Sequence, residues 1–123
     1  MPVVPDDGFH HARLPESSDL LVGREPPSAL GWVSSKLQIW FNRTEVAWRD
    51  AGLHVHDESD EVFVVLRGAL VVEAEGARRV VGAGEYCCFR QGVAHAVVEV
   101  HPPVETLMIR APSVADKRSV VAG

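Results

Sequence analysis

The stretch Gly52-Leu53-His54-Val55-His56-Asp57-Glu58-Ser59-Asp60-Glu61, running on through Val62-Phe63-Val64-Val65-Leu66-Arg67 to Gly68, decides how the rest of the chain is read. Side chains alternate between the two faces of an extended strand, so two histidines one residue apart project from the same side. His54 and His56 can therefore meet at one point. The polar run Asp57 to Asp60 predicts a turn, and the apolar run behind it opens on Glu61, which the turn returns across the two imidazoles. A second glycine-punctuated stretch, Gly84 to His95, supplies one more histidine at the start of another strand-like run. Three imidazoles and one carboxylate, from His54, His56, His95 and Glu61, suit one divalent transition metal per chain, with Fe, Mn, Ni, Co and Zn all within the range of that donor set.

Working outward, short apolar runs broken by Gly, Asn, Asp and Glu predict strands at Leu37–Phe41, Glu45–Trp48, Glu61–Leu66, Ala69–Ala74, Arg78–Val81, Glu85–Phe89, Ala94–Val100 and Val104–Ile109. Evenly spaced short strands with turn residues between them indicate an all-β sandwich or barrel, and no sustained period near 3.6 predicts a helix there. Glu75-Gly76 predicts a hairpin turn. The proline-bearing segment 1–31 reads as an extended N-terminal arm, 32–111 as the barrel, and 112–123 as a tail that forms one helical turn or stays extended.

Composition narrows the function classes. A chain of 123 residues that is 46% hydrophobic and 24% charged makes one domain with a real core. Its net charge of −5 argues against a nucleic-acid partner, which needs clustered Lys and Arg. No apolar run is long enough for a membrane helix, and the N-terminus lacks the basic-then-apolar pattern of a secretory signal, so the expectation is a cytoplasmic protein with no membrane partner. The two cysteines, Cys87 and Cys88, are neighbours on an expected strand; one thiol faces inward, and a disulfide between them is not expected.

At the histidine motifs the chain resembles the cupin superfamily, in particular its small single-domain members. His54, His56, Glu61 and Gly68 match the C-terminal end of the first cupin motif, while Arg49 and Gly52 stand near the place of its leading glycine. Gly84, Gly92 and His95 match the second motif, in which Arg90 replaces a proline and Glu99 an asparagine. The resemblance spans about residues 37 to 111. It implies a double-stranded β-helix, or jelly-roll barrel, whose four metal ligands are His54, His56, Glu61 and His95. It further implies a homodimer, with the N-terminal segment packed on the partner, and a small-molecule substrate. Dioxygenase-type oxidation of a small organic compound is the leading expectation. Lewis-acid isomerisation, cyclisation, decarboxylation or elimination, or a binding module without turnover, are the alternatives.

Strand phase places further residues. Phe63 and Val65 share phase with Glu61, and Val97 and Glu99 share phase with His95. A mostly apolar pocket walled by Phe63, Val65 and Val97, and closed by Trp40, Trp48 and Met108, is the expected substrate site. On a regular strand Glu99 faces inward as a base or as a partner to an imidazole; a break in phase leaves it in solvent. Arg90 either binds a substrate carboxylate or extends into water at the barrel rim.

Overall fold

The computed structural model describes residues 8–24 and 31–120, and every structural statement below concerns these. They form nine strands and no helix: β1 Asp19–Gly23, β2 Trp32–Val33, β3 Gln38–Thr44, β4 His54–His56, β5 Asp60–Ala74, β6 Ala77–Gly82, β7 Tyr86–Phe89, β8 His95–Ala111 and β9 Lys117–Ser119. Strand β8 is the hub, pairing antiparallel with β3, β4 and β5. Strand β5 carries β7 along its first half and β6 along its second. At the ends of the path β1 adds to β3, β2 adds to β1 in parallel, and β9 adds to β4. The result is the jelly-roll barrel that the motifs imply. No helix among the described residues is long and apolar enough to cross a membrane.

Two long strands replace four expected ones. Strands β5 and β8 stay paired along most of their length by slipping register between Val65 and Arg67, Arg67 and Ala69, and Val71 and Val72. Such slips bend a strand and increase its twist, which curls the sheet around one core. Gly68 lies in this interruption at φ +76°, and a Cβ there would stand 2.4 Å from the Pro103 carbonyl oxygen. Pro102 and Pro103 fall in the same gap and have no register partner on either neighbour, so their missing N–H groups remove no ladder bond. The strand thus runs through a Pro-Pro pair where the sequence predicts a break.

Other expectations hold or shift for local reasons. The Glu75-Gly76 hairpin forms, both residues taking positive φ. Glu45–Trp48 is not a strand, because the Thr44 hydroxyl accepts from the Val46 N–H and donates to the Val46 carbonyl, closing a tight turn that ends β3. Of the segments read as arm and tail, Asp19–Gly23 and Lys117–Ser119 are sheet strands; residues 1–7, 25–30 and 121–123 lie outside the described part. Cys87 faces inward against the core and Cys88 outward. Burial pushes the Cys87 thiol up to about 11, so this sulfur is a packing group at neutral pH.

The core is aliphatic and joins the site directly. Val65, Leu70, Val72, Val97, Val100 and Val104 are its centre, and each buried side chain of this kind contributes about 1.5–3 kcal/mol. Phe89 from the same cluster stacks flat on the His95 ring, with centroids 4.0 Å apart and planes 4° off parallel. Packing thereby fixes one imidazole before any polar partner acts.

Candidate metal centre

Strand β4 presents His54 and His56 on one face as its alternation requires, Glu61 is the second residue of β5, and β8 opens on His95, paired directly with His54. All four side chains are buried, and one ligand atom from each lies within 4.8 Å of the others. His95 Nε2 stands 2.7 Å from Glu61 Oε1, and His56 Nε2 stands 3.5 Å from Glu61 Oε2.

The donor set fits a metal cation on its own geometry. His56 Nε2 and His54 Nδ1 are buried without a hydrogen-bond partner, a costly condition for polar nitrogens. Both nitrogens of His95 face acceptors, Val93 O at 3.0 Å and Glu61 Oε1 at 2.7 Å. A cation held among these four side chains would give the lone nitrogens of His54 and His56 a partner and would draw on the same His95 and Glu61 atoms.

Electrostatics agree in direction. Burial raises the Glu61 pKa, but His56 and His95 outweigh it and hold the carboxyl down at about 2. Burial lowers His56, yet the carboxylates of Glu61 and Asp116 leave it above its ordinary value. His54 moves the other way, through burial and the nearby His95. Metal binding needs neutral imidazoles, so protons compete most strongly at His56. Metal affinity should fall as pH drops, starting above the ordinary histidine value of about 6.5, as read by chelator competition at about pH 8, 7 and 6. The Glu61 contribution to metal-free stability has a separate window. Its depressed carboxyl stabilises the fold above the ordinary carboxyl value of 4.5, and that contribution disappears as pH falls toward about 2.

Asp116, in the segment read as a tail, is one of the residues that the sequence does not signal. Its side chain is 2% exposed. Oδ1 accepts from His56 Nδ1 at 2.9 Å, and Oδ2 accepts from the Ser59 hydroxyl at 2.7 Å and from the Ser59 and Glu58 N–H groups at 2.9 and 3.0 Å. One carboxylate therefore closes the turn between the two motif ends and leaves His56 Nε2 free for a ligand. Losing such a partner typically costs 10- to 100-fold in metal affinity. Asp116→Asn should weaken zinc by roughly that factor in a competition titration, while Asp57→Asn, on the exposed Arg118 pair, leaves it unchanged. No local pattern signals Asp116, because its pairing with His56 spans sixty positions.

A cavity of about 350 Å³ opens over the cluster. Phe63 and Val97 line it as phase predicts, together with Trp40, Trp48 and Met108, the residues expected to close it. Three expected site residues lie elsewhere. Val65 shares the inward phase but is fully buried in the core and does not line the cavity. Glu99 is exposed because the slip between Val71 and Val72 breaks the phase of β8; it pairs with His101 on the surface. Arg90 is exposed and lines a different cavity, with Asp60 and Cys88. In their place the site gains Asn42, Asp50, Arg110 and Lys117. Asp50 is clamped to Val97, its N–H donating to Val97 O at 2.8 Å and its Oδ2 accepting from Val97 N at 2.7 Å, 4.0 Å from His54 Nδ1. Arg110 lies 3.6 Å from Asp116 and 3.8 Å from Glu61, and its Nη2 donates at 2.8 Å to the Gln38 amide oxygen in the orientation that these partners require.

The chain is thus a jelly-roll barrel that sets three histidines and one carboxylate, buried beside an open cavity, close enough together to hold one metal ion. The profile of the cupin domain matches residues 44–110, and the chain belongs to the cupin family. Among solved structures it is similar to KdgF from Halomonas sp., at 22% identity over 68% of this chain and 76% of that one, with a TM-score of 0.60. A cupin protein from Bacteroides fragilis shares 11% identity over 93% and 91% of the two chains, TM-score 0.66. The DMSP lyase DddQ from Ruegeria pomeroyi shares 20% over 80% of this chain, which spans about half (48%) of that protein, TM-score 0.60. At these identities the likeness establishes the fold. No curated protein matches the sequence significantly.

Proposed function

We propose that the chain is a mononuclear divalent-metal enzyme that transforms a small organic molecule by Lewis-acid chemistry, as an isomerase, cyclase, decarboxylase or lyase. The observation that carries this reading is the buried His54, His56, Glu61 and His95 cluster, three of whose members, His54, His56 and Glu61, line a cavity of about 350 Å³. Four protein ligands leave positions open on a six-coordinate ion, unlike a closed structural zinc site. When bound, the ion would polarise a carbonyl or hydroxyl oxygen of the substrate. Asp50 supplies the cavity carboxylate for which the sequence nominates Glu99; its clamp on Val97 holds it beside the cluster as a proton acceptor. The lyase activity printed for DddQ supports the reaction class, on a shared fold.

Oxidation by dioxygen is the second reading, favoured by a donor set that suits iron as well as zinc. One experiment separates the two. Zinc-loaded and iron-loaded protein are incubated with a panel of small hydroxy and carbonyl acids, with and without oxygen, and products are followed by mass spectrometry. Turnover with zinc in the absence of oxygen is the expected result. Turnover confined to iron with stoichiometric oxygen uptake replaces the first reading by the second, and absence of turnover with either metal contradicts both.

A further inference from the structure

The formally charged groups of the cavity are nearly all committed, and the exception points to the substrate. Glu61 belongs to the cluster, Asp50 is clamped by Val97, and Arg110 is shared among Asp116, Glu61 and Gln38. Lys117 is the cavity cation that forms no ion pair among the described residues. Its direction follows from strand pairing. Lys117 lies opposite His56 in the β4–β9 ladder, and directly opposed residues share a face, so its side chain projects on the side of the metal ligands. Arg118, one residue on, lies across from Val55 on the other face and pairs with Asp57 at 3.0 Å. Asp116, one residue before, is anchored at four points, which fixes where the strand begins.

An unpaired ammonium beside a divalent ion creates a site whose formal charge is positive. Arg110 and Lys117 with the ion outweigh Asp50, Glu61 and Asp116 by one unit. The apolar part of the cavity lining includes two indoles, Trp40 and Trp48, with Phe63 and Met108. We infer that the substrate is a small carboxylate monoanion with a planar apolar body, its carboxylate received by Lys117 at the cavity mouth and its body lying along Trp40 and Trp48. A phosphate dianion is the poorer fit, since the guanidinium that would grip it bidentately is already held by carboxylates and an amide. Lys117 lies beyond the span matched by the family profile, residues 44–110. The inference rests on the metal reading above, because the charge balance turns positive only with the ion bound.

The test uses the zinc-loaded full chain and isothermal titration calorimetry with 3-phenylpropanoate, its neutral amide and phenyl phosphate. The acid is expected to bind at least tenfold more tightly than the amide and more tightly than the phosphate. Lys117→Met should bring the acid to the level of the amide while leaving the amide and the zinc content unchanged. Lys117 is exposed, so the substitution does not disturb the core; Lys117→Gln serves as a second neutral variant. Equal binding of acid and amide, no binding of the acid, preference for the phosphate, or an acid preference that survives in both variants overturns the inference. Failure of the wild-type chain to take up zinc at all would instead contradict the metal reading.

Discussion

His56→Ala is expected to abolish stoichiometric metal uptake, with a loss in affinity well beyond the 10- to 100-fold typical of losing an outer partner. The residue stands at the junction of every part of the site. It shares a strand face with His54, faces Glu61 through Nε2 and is held from behind by Asp116. Its removal also leaves the buried Glu61 and Asp116 carboxylates short of a partner, and breaking buried charged pairs from one side costs about 3–5 kcal/mol. Melting of the metal-free variant should therefore drop as well, and added zinc should restore none of it. In the wild type zinc should raise the melting temperature, because a ligand that binds only the folded chain adds to its stability. A variant that still gains stability on zinc addition would show that His56 is not a ligand.

Gly68→Ala should be among the most destabilising single-methyl changes in the chain. The added Cβ would meet Pro103 O at 2.4 Å, His101 O at 2.9 Å and the Val104 Cα at 3.0 Å. All three are backbone atoms, so no side chain can rotate away. The φ of +76° adds about 1–2 kcal/mol of its own. Together these predict a loss of about 3 kcal/mol or more, roughly 10 °C in melting temperature for a domain of this size. Gly76→Ala is the control, with φ +77° and nothing within 4 Å of its Cβ, and should lose about 1 kcal/mol. Equal losses in the two variants would mean that the β5–β8 crossing is not as close as described.

These two residues also show what was legible in the sequence. The His-x-His spacing and the following turn locate the cluster because alternation and chain reversal are local, and the cupin motifs carried the fourth ligand. The hairpin at Glu75-Gly76 was readable for the same reason. Strand continuity was not: Gly68 and Pro102-Pro103 each look like breaks, and only their apposition in one gap lets β5 and β8 run past them. The same kind of long-range slip, between Val71 and Val72, turned Glu99 outward and removed it from the site. Val65 has the right phase but the wrong depth, which alternation alone does not encode. Asp116 and Lys117 stand in a three-residue strand and its approach, too short for any period, and their place beside His56 comes entirely from tertiary pairing. Asp50 reached the cavity by a side chain that imitates a strand partner of Val97, again a pairing across distance.

The most direct test of the metal centre is elemental analysis of untagged protein, purified without chelators and saturated with zinc before gel filtration, expressed as metal per chain. Close to one equivalent is expected, lost from His56→Ala. A wild-type chain that retains no metal, or a His56→Ala chain that retains as much, would contradict it.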